Sequence, residues 1–365
     1  MISRHRTMCI TFVILTLTIL LAGCGLFETE DDEYMDLTAL GEGRLLFASP
    51  PPSSPGSNLS LFTITLSSNT VQHFLTANRD FTSPSIMKPP DSYWLIGFGN
   101  SRVTVFDAFS RDYHNMDGSG ARQRALVLDR TATGRMAYMD GSDSGGYNIV
   151  VQASLTAQPV AVTSGASGSI SFWTPSWSSD GQWILYARLA GSTGAEAELW
   201  RVRPDGSGAE KLPIVTTELP TYAIFSPTGT EVLVPGDFTS YYIDDGRVGR
   251  FDHLRELTSM QDQLAAFGYE FVGSPLTGPV HEGDAVTSFR HSFPLSAYWK
   301  TGDWIYFDAL VASNYGTPPH EVEGVAIFSW FRMSQTLFKH TDPIPLSEER
   351  TEGYSISIMR PSIIP

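Results

Sequence analysis

The chain has 365 residues and a formal net charge of −15, with charged residues at 17% and aromatics at 12%. An acidic balance of that size excludes a nucleic-acid surface or a polybasic lipid contact, and hydrophobic residues at 42% exclude a disordered chain. The 32 glycines and 23 prolines, beside many aromatics and few helix-favouring charges, point to an all-β protein.

Arg4, His5 and Arg6 open the chain, and an apolar run broken by threonines follows from Met8 to Ala22. No acidic residue precedes Glu28. A basic start and a short apolar stretch ending in small residues has the form of a secretory signal, and at about 15 residues it is shorter than the ~20 that span a bilayer as a helix. Its end, Leu21-Ala22-Gly23-Cys24, resembles the lipobox of bacterial lipoproteins. That resemblance implies cleavage between Gly23 and Cys24, with Cys24 acylated as the first residue of the mature chain. The alternatives are a plain transmembrane anchor or a secretory signal with an accidental cysteine. Cys9 would leave with residues 1–23, so the mature chain is expected to carry no free thiol and no disulfide, which suits an oxidising compartment. Two or more acyl chains anchor stably where one does not. Residues 24–35, with Glu28-Thr29-Glu30-Asp31-Asp32-Glu33, then read as a solvated, self-repelling tether. By resemblance to proteobacterial lipoproteins, Gly25 rather than an aspartate after the cysteine favours the outer membrane.

The folded part, 36–365, carries a repeat. Pro175-Ser176-Trp177-Ser178-Ser179-Asp180-Gly181 predicts a turn that feeds a strand from Trp183 to Arg188. A second strand at Glu198–Val202 runs into the turn Pro204–Gly208. This phrase is similar to the PD40-type repeat of TolB-like β-propellers, with Ser179 standing where that family usually has proline. Phe225-Ser226-Pro227-Thr228-Gly229 repeats it 48 residues after Gly181, and Thr133-Gly134 repeats it 47 before. Asp117-Gly118-Ser119-Gly120-Ala121 returns as Asp205–Ala209 at a spacing of 88, close to two periods. Weaker copies at Asp91–Ile96, Gly41–Phe47 and Gly302–Phe307 bring the number to six. Periods of this length built from short strands mean propeller blades, so the expected fold is an all-β propeller of four-stranded blades, six by this count, the alternatives being seven blades or a β-sandwich whose Asp-Gly turns only look periodic. A strand near Asp36–Leu40 or Tyr354–Met359 is expected to close the ring.

Two stretches interrupt the pattern. Leu254, Leu257, Gln261, Leu264 and Phe267 recur at three to four, which predicts an amphipathic helix over 252–267 with Asp252 as N-cap and Gly268 just past its end. It is expected to dock on the propeller body, the alternatives being a cap over one mouth of the channel or a partner-binding helix. Pro50–Gly56 reads as a stiff hairpin loop or, less simply, a polyproline ligand.

Chemistry is sparse. No nucleophile elbow, His-Glu-x-x-His, Walker loop or paired Cys-x-x-Cys occurs. Seven histidines follow the signal, His73, His114, His253, His281, His291, His320 and His340, and none falls in the third or fourth blade. His281-Glu282-Gly283-Asp284 with His291 is the densest polar cluster and reads as a solvated loop rather than a metal site. Asp140-Gly141-Ser142-Asp143-Ser144-Gly145-Gly146 offers oxygen ligands for calcium, but it lacks EF-hand spacing and sits where a hairpin turn is due. No catalytic residue, metal or cofactor is expected. The favoured reading is a monomeric, membrane-tethered envelope lipoprotein whose propeller is a non-catalytic interaction or scaffold module. Its partners would be the membrane, through its lipid, and an envelope protein. A propeller enzyme or a receptor holding a carbohydrate or peptide in the central channel is the alternative.

Overall fold

The computed structural model describes residues 34–41, 43–49, 60–76, 85–87, 95–98, 102–116, 120, 122–129, 131, 133–190, 196–216, 223–235, 238–271, 296–313, 322–343 and 362–364. Their strands form six separate antiparallel sheets. Blade 2 holds Ser85–Met87, Leu95–Phe98, Thr104–Asp107 and Asp112–Asn115 in that order, and blade 3 holds Arg122–Leu128, Met136–Ser142, Gly146–Gln152 and Val160–Ala161. Blade 4 follows with Ile170–Trp177, Ile184–Ala190, Glu196–Val202 and Glu210–Lys211. Blade 5 is thinner, with Ile224–Phe225, Glu231–Val234, Thr239–Tyr242 and a single bridge from Tyr241 to Val248.

The sheets make a ring because their middle strands are apolar on both faces. In blade 3, Ala137, Met139, Ile149 and Val151 point into the cluster shared with blade 4, while Met136, Tyr138 and Val150 point into the one shared with blade 2. A strand's period of two sends neighbours to opposite faces, so each blade needs a partner on either side. The first strands of blades 1 to 6 touch in succession, whereas the last strands of blades 3 and 4 are exposed. First strands therefore surround the axis and last strands form the rim. All six sequence copies lead into the second strand of a blade, which is why the repeat counts the blades correctly.

The turn before that strand explains the repeated residues. Ser178 N–H donates to the Trp183 carbonyl (2.9 Å), Trp183 N–H donates back to Ser178 Oγ (2.9 Å), and that hydroxyl donates to Asp180 Oδ1 (2.6 Å). Gly181 takes a φ of 65°, which a Cβ would strain. Ser226 and Glu231 repeat the reciprocal pair at 2.8 and 3.1 Å, and Asp129 takes the same place in blade 3. The shared pentapeptide, by contrast, is not a structural repeat. Asp205–Ala209 lies between the third and last strands of blade 4, whereas Gly120 of the first copy lies between blades 2 and 3.

Closure uses both chain ends. Ser362–Ile364 pairs with Arg44–Leu46 as the innermost strand of blade 1, followed outwards by Ser60–Thr65 and Thr70–Thr76. Tyr34–Met35 adds a short outer strand on Thr76 and Leu75, so pairing starts two residues before the expected boundary at 36. The expected closing positions differ in detail. Leu37–Ala39 is a 3-10 turn, held by Thr38 N–H donating to Asp36 Oδ1 (2.9 Å), and 354–359 lies outside the described residues. Blade 6 is built on a long strand, Trp304–Ser313. Ser296–Thr301 and Tyr269–Phe271 share one edge of it, with Val322–Phe331 and Thr336–Lys339 on the other side.

The helix predicted over 252–267 is α1, His253–Ala266. The Asp252 carbonyl accepts from Glu256 N–H (2.9 Å), the N-cap position, and Gly268 follows at a φ of 88°. Leu257, Met260 and Leu264 are buried in the cluster shared by blades 5 and 6, while Phe267 is exposed. Gln263 reaches the last strand of blade 6 from both sides, donating to the Gln335 carbonyl (2.7 Å) and accepting from Leu337 N–H (2.9 Å). The helix is thus docked on the body of the ring, along blade 6.

Candidate functional site

The axis is lined by first strands, so recognition groups near the channel must come from them. Two first strands share an irregularity. Ala125 in blade 3 and Thr174 in blade 4 take φ values of 52° and 45°, beside register shifts in their pairing. They stand 49 residues apart, one repeat. Left-handed backbone costs a non-glycine residue roughly 1–2 kcal/mol, and a β-branched residue such as Thr174 is unusual there. A bulge of this kind re-aims the side chain beside it. The residues immediately before are Arg124 and Trp173, both half-buried, each five residues before its blade's turn residue, Asp129 or Ser178.

Around these two side chains a polar network joins blade 3 to blade 4. Asp143, at the tip of the Ser142–Gly146 hairpin, accepts from Tyr147 Oη (2.5 Å), Arg122 (2.5 Å) and Arg124 (3.1 Å). The hydrogen bond from Tyr147 and the two guanidinium groups hold the Asp143 carboxyl below its usual range. Burial, with that same hydrogen bond, pushes the Tyr147 phenol up to about 12. Arg124 lies over the Tyr147 ring at 5.4 Å, and the Tyr147 and Trp173 rings meet edge-on at 6.5 Å. Ser171 Oγ accepts from both Tyr147 N–H (3.0 Å) and Trp173 Nε1 (2.8 Å), tying the two blades together. Farther out in the same wedge, Glu198 accepts from Lys211 (2.7 Å), Trp200 Nε1 (3.0 Å) and Arg188 (3.2 Å). Those donors, Lys211 first, lower the Glu198 pKa. Arg, Trp and Tyr around paired carboxylates form a surface suited to contact, since these residues dominate binding energy at interfaces.

The residues singled out in the sequence distribute differently. Leu21, Ala22, Gly23, Cys24, the tether stretch, Pro50–Gly56, His281–Asp284, His291 and His320 lie outside the described residues. In Asp140–Gly146 the carboxylates are occupied by protein donors. Asp140 accepts from Gly120 N–H (3.0 Å) and Gln123 (3.0 Å), Asp143 from the groups above, and the segment is a hairpin turn. Of the histidines, His73 and His340 flank the seam between blades 1 and 6, and His114 is on the last strand of blade 2. Among the described residues no cluster of three or more His, Cys, Asp and Glu could hold a metal, and no helix is long and apolar enough to cross a membrane. Arg124 and Trp173 were not found from the sequence. Their signal was positional, an aromatic or a cation at a fixed distance before the repeated turn, and it needed the turns to be aligned first.

Solved structures supply the outside comparison. The chain is similar to TolB from Acinetobacter baumannii at 12% identity, over 83% of this chain and 65% of that one, with a TM-score of 0.50. The fold is that of a TolB-like β-propeller. The putative TolB of Agrobacterium tumefaciens is similar at 11% identity over 83% of this chain and 90% of that one, with a TM-score of 0.47. The Pseudomonas aeruginosa periplasmic gluconolactonase is similar at 10% identity over 88% and 99%, also at 0.47. Neither a protein-family model nor a curated protein matches the chain.

Proposed function

We propose that this protein is a membrane-tethered interaction module of a cell envelope, anchored by an acylated Cys24, that engages a protein partner through the blade 3–blade 4 mouth. The observation that carries the reading is the pair of bulged first strands that present Arg124 and Trp173 at the same repeat position beside the channel. Strain held at one repeat position in two blades is the kind that persists where a side chain is being aimed. The Leu21–Cys24 pattern and its basic, apolar lead support the anchor, and the TolB-like fold supplies the ring on which these side chains are held. The described first strands offer arginine, tryptophan, tyrosine, lysine and hydroxyl groups. Arginine, tryptophan and tyrosine are the side chains that dominate binding energy at interfaces.

The test is co-purification of the full-length protein from detergent-solubilised envelopes, with Trp173→Ala and Arg124→Ala beside Phe109→Ala. Phe109 is 65% exposed in a turn of blade 2. A partner captured by wild type and by Phe109→Ala, and lost roughly tenfold or more by the mouth variants, is expected, since a central aromatic or arginine anchor contributes 2 kcal/mol or more. Equal capture by all four sinks the mouth. Metabolic labelling with a fatty-acid analogue tests the anchor separately. Label should reach wild type and not Cys24→Ser, and an unlabelled wild type removes the tether from the reading.

A further inference from the structure

The seam that closes the ring is built differently from those inside it. Asn69, in the turn after Ser60–Thr65 of blade 1, meets His340 at the end of blade 6, with Oδ1 2.8 Å from Nδ1. Its Nδ2 donates to the Lys339 carbonyl (3.5 Å). The other ring nitrogen of His340, Nε2, is 2.8 Å from Ser329 Oγ, and Ser329 is fully buried. These partners decide the tautomer. An amide oxygen can only accept, so Nδ1 carries the proton; Nε2 then offers its lone pair, and Ser329 donates to it. The chain Ser329 to His340 to Asn69 has the order of a nucleophile, base and orienting group, but a serine with no exposed surface cannot meet a substrate. Its place in the fold gives it another role. Asn69 and His340 are 271 residues apart and belong to the first and last blades, so this contact fastens the two ends of the ring.

We propose that the Ser329–His340–Asn69 chain is an acid-releasable clasp: protonating the imidazole loosens blade 6 from blade 1 while blades 3 and 4 stay packed. The second proton must go to Nε2, where it removes the acceptor that Ser329 uses and places a cation among aromatic rings, Tyr306 lying 5.6 Å away. Among the described residues, the ionisable groups on this face of blade 6 are Tyr298 and Lys300 of the first strand, Tyr306 and Asp308 of the second, and Glu270 of Tyr269–Phe271. Lys339 and Asp342 are beside His340 and paired with each other at 2.7 Å, and His73 is across the seam. Lys300 sits over the Trp304 and Tyr306 rings, so a cation already occupies that side. His73, stacked on Phe62 at 4.8 Å, also has its pKa lowered by burial.

The direction in pH follows from burial, which drops the His340 pKa from 6.5 to about 4. The folded state binds fewer protons than the unfolded one between those values. The contribution is therefore whole above pH 6.5, falls as pH drops from there to about 4, and levels off below.

Hydrogen exchange of the full-length protein, corrected for the intrinsic rate at each pH, tests the clasp. Between pH 7.5 and 5, peptides in 60–76 and 322–343 should lose protection roughly tenfold more than peptides in 133–190. His340→Gln should abolish the excess. Asn69→Asp keeps a residue that tolerates the φ of 54° and sets a carboxylate against Nδ1, so it should reverse the excess by stabilising the imidazolium. A uniform loss across all blades, or the same excess in both variants, overturns the proposal.

Discussion

Blade 3 is fastened to blade 4 by a guanidinium, whereas blade 6 is fastened to blade 1 by a neutral imidazole. At the first seam Arg135 pairs with the buried Asp129, donates to the Gly181 carbonyl (2.9 Å) and stacks on Trp177 at 5.0 Å. The groups it joins are 46 residues apart, while Asn69 and His340 are 271 apart. On chain entropy alone, closing the longer loop costs roughly 1.5 kcal/mol more. An arginine keeps its charge at every pH a protein meets, and its fork makes several bonds at once. The difference teaches that the blade 3–blade 4 seam combines chain continuity with an ionic clasp. Among the described residues the closing seam relies on the uncharged His340–Asn69 contact, with a C-terminal strand and an N-terminal strand on blade 1 and a helix braced along blade 6.

The comparison breaks most visibly at Asp129. Its Oδ2 accepts from Thr131 Oγ1 (2.8 Å), Thr133 Oγ1 (2.9 Å) and Arg135 Nε (2.7 Å), and its Oδ1 accepts from Thr131 N–H (2.9 Å). Asp129→Ala leaves a partly buried guanidinium and three hydroxyl or amide donors without this partner. We expect a loss of about 3–5 kcal/mol in urea unfolding. A loss below about 1 kcal/mol would mean that the blade 3–blade 4 seam does not depend on its ionic clasp.

Next is the brace on blade 6. Leu264 is fully buried between α1 and the blade 5–blade 6 cluster, so Leu264→Ala should cost about 3 kcal/mol. Exchange should rise first in 296–343. If blades 3 and 4 respond equally, the helix supports the whole ring rather than its last blade. Gln263→Ala is milder, removing two hydrogen bonds from the edge of Thr336–Lys339 at about 1–2 kcal/mol together. It should also sharpen the acid response of the seam, which exchange at pH 5 would show.

How much was legible beforehand depends on what each signal rests on. The turn at Ser178–Trp183 is local chemistry: a hydroxyl, a carboxylate and a glycine within six residues, so its copies counted the blades and placed each second strand. The helix was equally local in its bounds, but of its expected stripe Leu257 and Leu264 are buried, Met260 is buried in place of Gln261, Phe267 is exposed and the Leu254 side chain lies outside the described residues. The shared pentapeptide misled because any tight turn favours Asp-Gly-Ser-Gly, whichever pair of strands it joins. The clasp between Asn69 and His340 was out of reach, since neither residue has a neighbour in sequence that implies the other. The bulges were hidden for a different reason. Nothing in Ala125 or Thr174 favours positive φ, and the conformation comes from packing that overrides local preference.

That override gives the smallest effect. Thr174→Gly removes the left-handed strain, worth roughly 1–2 kcal/mol, but adds back chain entropy of about 0.5–1 kcal/mol. The net expectation is a stabilisation of at most about 1.5 kcal/mol, read as a small rise in urea midpoint. Trp173 should then lose its fixed direction. Glycine lets the first strand of blade 4 relax toward regular pairing, where neighbouring side chains alternate strictly between faces. If the bulge exists to aim Trp173, the variant should be slightly more stable and a poorer binder of any partner captured at the mouth. A variant that binds as wild type would show that the bulge merely fits the first strand around the axis. The recognition surface would then rest on the Asp143–Tyr147–Arg124 network alone.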